Sequence, residues 1–209
     1  MAKKSGRPLK AEGESCRRQI LEAAVRLIKK CDAGALTVRN VCREANVGIG
    51  TFYFYFQNKD DLLMHFLRET SFDRCALKTP LENIADRIAE LYMYQIERYQ
   101  ELGFDFMKSF YSTGNKPLSA YLGASQGAFP ADTVMARCES ELAEAQKSGV
   151  ISENTNIREL SMDICTIVKG CVFEWCLTEG AMDIEASLYR LVRRYMHAYL
   201  NQAAEDPSK

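Results

Sequence analysis

The stretch Val47-Gly48-Ile49-Gly50-Thr51-Phe52-Tyr53-Phe54-Tyr55-Phe56-Gln57-Asn58-Lys59-Asp60-Asp61-Leu62 constrains this chain most. It reads as a short aromatic helix followed at once by a second helix. Gly48 can serve as an N-cap. Gly50 then falls in the first turn, where glycine costs about 1 kcal/mol relative to alanine. A missing side chain lets the helix start come close to a phosphate backbone or a base edge. Phe52 and Phe56, spaced i, i+4, share an inward face. Tyr53 and Tyr55 are expected to point away from it, with hydroxyls available to donate. Asn58 is a good cap for the second helix, and Asp60 and Asp61 suit its positive end. Lys59 does not suit that end, and a nearby phosphate would rationalise it.

The preceding residues complete a motif. Thr37 is a suitable N-cap, and Val38, Val41, Cys42 and Ala45 form the apolar face of a short helix. Asn46-Val47-Gly48 then makes a tight turn. Two short helices around such a turn form a helix-turn-helix, whose second helix enters the major groove of DNA.

Thr37 through Leu62 resembles the DNA-binding signature of the tetracycline-repressor (TetR) family of bacterial transcription regulators. The pattern is a Thr-led helix, a turn, a Gly-Thr pair, a Tyr-x-Tyr-Phe-like aromatic run, and Lys before an acidic residue. Here it reads Thr37, Gly50-Thr51, Tyr53-Phe54-Tyr55-Phe56 and Lys59-Asp60. The match is specific in order and spacing and covers roughly the first third of the chain. Gly48 departs from the family, which often has a Ser cap there. By resemblance, Arg39, Ile49, Thr51 and Tyr53 approach bases, and Thr37, Gly50, Tyr55 and Lys59 hold phosphates. Ile49 can touch a thymine methyl but cannot hydrogen-bond.

Charge is divided along the chain. Residues 1–59 hold 12 Lys and Arg against 5 Asp and Glu, whereas the remainder holds 15 against 23. A basic head on an acidic body is the footprint of DNA binding confined to one end. No run of about 18 or more uncharged apolar residues indicates a membrane span. The basic start lacks the apolar stretch of a secretory signal, so a cytoplasmic location is expected. The 8 cysteines are scattered without a Cys-x-x-Cys pair, and there are only 2 histidines, His65 and His197. No zinc spacing follows, and neither metal nor cofactor is expected. The thiols should be free and mostly in the core.

Taken in order, residues 1–13 read as a flexible basic arm in which Gly6-Arg7-Pro8 resembles the minor-groove grip of AT-hook segments. Arg7 is thus a further DNA candidate, although a merely solubilising tail explains the segment equally well. Residues 14–58 form the helix-turn-helix domain, with a supporting helix from Ser15 to about Cys31. Residues 59–78 make a connecting helix, 79–204 a larger helical domain and 205–209 a tail. Helices are expected over 81–100, 131–149, 157–178 and 183–200, with a short aromatic one near 104–111. Residues 121–130 are poorly periodic. With no recurring strand pattern, the fold should be all-α.

The resemblance implies a homodimeric repressor that a small molecule releases from a palindromic operator. The last two helices resemble the family's dimerisation pair, with Ile164, Val168, Leu188, Leu191, Tyr195 and Tyr199 as interface candidates. Aromatic and Met residues concentrate where the helices are short and broken. Tyr92, Phe104, Met107, Phe110, Tyr111, Phe129, Cys171 and Trp175 are therefore expected to wall a cavity for a mostly apolar or aromatic ligand. A thiol-redox regulator with the same head is the alternative. An enzyme is not expected, for the body has no Gly-rich phosphate loop, nucleophile elbow or metal cluster, and both histidines should lie at a surface or interface.

Overall fold

Ile20, Leu21, Ala23 and Ala24 bury one face of the first helix, α1 (Lys10–Lys30), and the head assembles on that stripe. The computed structural model describes residues 10–30, 36–69, 72, 75–101, 103–111, 129, 131 and 133–201. Arg7 and Cys31 lie outside these. Helix α1 starts earlier than the sequence suggested, because Lys10–Gly13 extend it instead of belonging to a loose arm. The physical reason is packing: a side chain at Gly13 would lie 3.5 Å from the Tyr55 hydroxyl, so this turn rests on the aromatic helix.

Helix α2 (Val38–Glu44) is capped by Thr37, whose side chain accepts the Asn40 N–H at 3.2 Å. It ends as expected in a tight turn. Asn46 N–H donates to Arg43 O and Val47 N–H to Cys42 O, with Asn46 in the left-handed region at φ 52°. That paired closure satisfies carbonyls the helix leaves open. Helix α3 (Ile49–Tyr55) follows, with Gly48 as its cap and no side-chain cap bond. Phe52 and Phe56 are buried against Ile20, Val41, Leu62 and their neighbours. Helix α4 (Lys59–Glu69) starts from a reciprocal cap: Asn58 accepts Asp61 N–H at 2.8 Å, and Asp61 accepts Gln57 N–H at 3.0 Å.

A 3-10 turn (Leu81–Asn83) leads into α5 (Ile84–Gln100), the central helix of the body. Around it pack α6 (Phe104–Phe110), α7 (Val134–Lys147) and α9 (Ile184–Met196), with α8 (Ile157–Leu177) against α7 and α9. Gly149, at φ 79°, ends α7. Helix α9 stops at Met196, short of the expected Leu200, because the following backbone turns back. There Ser152 N–H donates to Tyr199 O and Asn201 N–H to Val150 O, making an isolated bridge between Ile151 and Leu200. The described residues form no strand, so the fold is all-α: a helix-turn-helix head and a larger helical body. Among them no helix is long and apolar enough to cross a membrane.

Charged pairs tie the body together. Glu141 on α7 lies between Arg87 and Arg137, each at 2.6 Å. Glu90 accepts the backbone N–H groups of Lys78 at 2.8 Å and Thr79 at 2.9 Å, and Arg87 donates to the Thr79 carbonyl. These bonds fasten the segment between head and body to one face of α5.

Candidate nucleic-acid interface and effector region

Anchoring Phe52 and Phe56 inward forces the other residues of α3 outward. Ile49, Tyr53 and Phe54 are 51%, 55% and 68% exposed, a high value for large apolar side chains. Gly50 is exposed, and a methyl added there would meet nothing within 4 Å. Thr51 is half-buried at the same helix start. Arg39 on α2 and Lys59 at the first position of α4 are exposed, and Thr37 keeps its hydroxyl in the α2 cap.

Tyr55 departs from the sequence expectation. Its ring is half-buried, and its hydroxyl faces Cys16 on α1; burial first, then that thiol, raises its pKa. Three positions after Phe52, it flanks the inward face and is caught by the extended α1. Phe54 is the exposed aromatic that sequence reasoning did not single out. The available signal was its position off the Phe52/Phe56 stripe. His65, expected at a surface or interface, is instead buried, with Arg17 Nη2 2.6 Å from its Nδ1 and the Arg17 guanidinium above Phe56. This pair joins α1 to α4.

In the body, the expected ligand residues separate into groups. Tyr92, Met107 and Phe110 are buried, and Phe110 stacks on Phe106 beside Tyr99 and Tyr111. Tyr99 and Phe106 belong to this aromatic cluster, although the sequence reading left them out. Phe104 packs edge-on to Trp175 at 5.0 Å, and Phe129 lies 3.5 Å beneath the Arg158 guanidinium. Cys171 turns the other way. It lines an outer groove of about 610 Å³ with Ile167, Gly170, Met182 and Leu191, rimmed by Glu174, Arg190 and Arg194.

The interface candidates also divide. Ile164, Val168 and Leu188 fill the core of their own chain, because α8 is covered by α7 and α9. They are therefore not available to a second subunit. Leu191 and Tyr195 line the groove, and Tyr199 is half-buried beside Tyr195. Phe173 and Leu177, 54% and 62% exposed, extend the apolar surface of α8. Periodicity could not single them out, since both sides of α8 are apolar.

The described cysteines are free thiols. Burial pushes up the pKa of Cys42, Cys75, Cys165, Cys171 and Cys176, and that of Cys138 to about 12. Thiolate is the reactive form, so these groups are held inert. Among the described residues no group of His, Cys, Asp and Glu could hold a metal ion.

Residues 20–65 match the family model of bacterial regulatory proteins, tetR family. A stretch of 48 residues is 44% identical to an HTH-type transcriptional regulator of Haemophilus influenzae, covering 23% of this chain. The match spans about a quarter of that relative, 26% of its length. Solved structures are similar over almost the whole chain. SmeT, the repressor of the Stenotrophomonas maltophilia multidrug efflux pump SmeDEF, aligns at TM-score 0.59 and 18% identity, over 92% of this chain and 94% of its own. A complex of SmeT with triclosan aligns at 0.61 and 19%, over 93% and 96%. NalD, the secondary repressor of the MexAB-OprM efflux pump of Pseudomonas aeruginosa, aligns at 0.54 and 18%, over 93% and 100%.

Proposed function

We propose that this chain is a member of the tetR family of bacterial regulatory proteins, as the match of its head suggests, and a homodimeric repressor of transcription. Its operator is palindromic, and a small apolar or aromatic molecule entering the body releases it. The observation that carries the reading is α3, whose Phe52 and Phe56 are anchored while Ile49, Tyr53 and Phe54 face outward beside the open Gly50. Exposed apolar side chains on a helix of this motif suit thymine methyls in the major groove. Arg39 on α2 and Lys59 at the start of α4 are exposed and supply charge for phosphates. The tyrosine and phenylalanine cluster around α5 and α6 supports an apolar or aromatic effector, and the triclosan complex of SmeT is a precedent in a protein of the same fold. Thiol oxidation as the signal loses support, because burial holds most of the described thiols protonated.

The test is to incubate the purified protein with random DNA fragments and sequence what it retains. An enriched inverted repeat is expected, with half-sites about one or more helical turns apart, roughly 34–36 Å per turn. Lys59→Ala should bind that repeat more weakly, with a salt slope shallower by about one unit. Retained DNA no different from the input would sink the reading.

A further inference from the structure

Two hydroxyls deep in the body have no role in folding that their surroundings explain. Tyr92 on α5 is 1% exposed and Ser161 on α8 is fully buried. Among the described residues neither hydroxyl has a hydrogen-bond partner of good geometry. What lies beside them is sulfur. The thiols of Cys138 on α7 and Cys165 on α8 approach the Tyr92 hydroxyl, and Ser161 approaches Cys138. Sulfur is a weak acceptor, so the phenol proton has no strong destination. Buried polar groups are otherwise paired almost without exception, and an unpaired one costs stability. Phenylalanine and alanine would occupy the same space without that cost. Three helices nevertheless aim polar atoms at one point in an apolar interior. Tyr111, at the end of α6, is within electrostatic reach of Cys165 from the side of the aromatic cluster.

We propose that Tyr92, Ser161, Cys138 and Cys165 form a hydrogen-bonding subsite for one neutral oxygen acceptor, such as a ketone oxygen, on an otherwise apolar effector. The inference rests on the effector reading above and narrows it. The Tyr92 O–H donates to the incoming oxygen, and the Ser161 hydroxyl supplies a second donor. A charged group is disfavoured because hydroxyls and protonated thiols provide no counter-ion. The buried Phe106, Met107 and Phe110 on α6, which packs against both α5 and α8, match the apolar remainder of such a molecule.

Calorimetric titration of the full-length protein tests this with benzophenone and xanthone against diphenylmethane and xanthene, which keep the ring skeleton but lack the carbonyl. The ketones should bind roughly tenfold more tightly than their methylene counterparts. Tyr92→Phe should erase that ratio while leaving the affinity for diphenylmethane and xanthene unchanged. Without ligand, the Tm of Tyr92→Phe and of Ser161→Ala should stay level or rise. A ratio near one in the wild type, or a ratio that survives both substitutions, overturns the subsite alone. So does a lower Tm in Tyr92→Phe, which would mean that the hydroxyl already has a structural partner. If none of the four compounds binds, the subsite and the apolar-effector reading fall together.

Discussion

Glu141 is the residue whose charge the fold depends on most visibly. Desolvation works to raise its pKa, yet hydrogen bonds from Arg87 and Arg137 outweigh it and hold the carboxyl below its ordinary value. A carboxylate with a depressed folded pKa contributes stability above its unfolded value of about 4.3 and loses it as pH falls through the folded value. The Tm should therefore drop as pH is lowered below about 4.3. In Glu141→Gln that part of the acid dependence should be absent. At pH 7 the substitution should cost about 3 kcal/mol, because it removes the negative charge that two partly buried guanidinium groups share. A chemical-denaturation series at several pH values measures both effects; equal acid sensitivity in the two proteins would contradict the assignment. Residues whose role is local were legible from sequence alone. Thr37 and Asn58 cap the helices that follow them, as their side chains and positions implied. Tyr55 and His65 were not legible, because α1 covers the first and its Arg17 engages the second from 48 residues away.

Helix α3 poses the question of why a seven-residue helix keeps a glycine in its first turn. Packing is not the answer, since nothing lies within 4 Å of where a side chain would begin. Alanine at position 50 should stabilise the head by up to about 1 kcal/mol through helix propensity. If the open backbone is there for close approach to DNA, the same change should weaken binding to the selected repeat. Gly50→Ala is thus expected to raise the Tm and lower DNA affinity together. A variant that is more stable and binds equally well would remove Gly50 from the interface. Helix ends show where sequence reading stopped. The turn after α2 was legible because its signals lie within three residues. The start of α1 and the end of α9 were not: the first depends on packing against Tyr55, the second on backbone pairing with residues 150–152.

Across the whole molecule, α5 lies between the two sites proposed above. One part of it fastens the segment after α4 through Arg87 and Glu90, and the same helix carries Tyr92 into the interior. A molecule that displaced α5 would therefore act directly on the segment that leads to the head. In the proposed function such a shift controls repression only if two heads are held at a defined spacing, so subunit association is the premise of that proposal. Which face could meet a second subunit was also least legible in sequence. Apolar residues surround α8, and periodicity cannot tell which face meets α7 and α9 and which meets a second chain. In the fold, Ile164 and Val168 turn inward, whereas Phe173, Leu177 and Leu191 stay exposed beside the groove lined by Ile167, Cys171 and Met182. Exposed apolar side chains beside a charged rim mark a site of interaction. Two-fold pairing of α8 and α9 with their symmetry mates would cover it, with Arg190 and Arg194 available to Glu174 across the rim. Leu191→Glu places a charge in that surface without touching the chain's own core. It should yield a monomer at micromolar concentration in sedimentation, with helical content unchanged. The monomer should lose most of its affinity for the inverted repeat while retaining weak contact with a single half-site. Leu191→Met keeps the surface apolar and should remain dimeric. If Leu191→Glu sediments and binds the repeat as the wild type does, these two helices do not form the dimer.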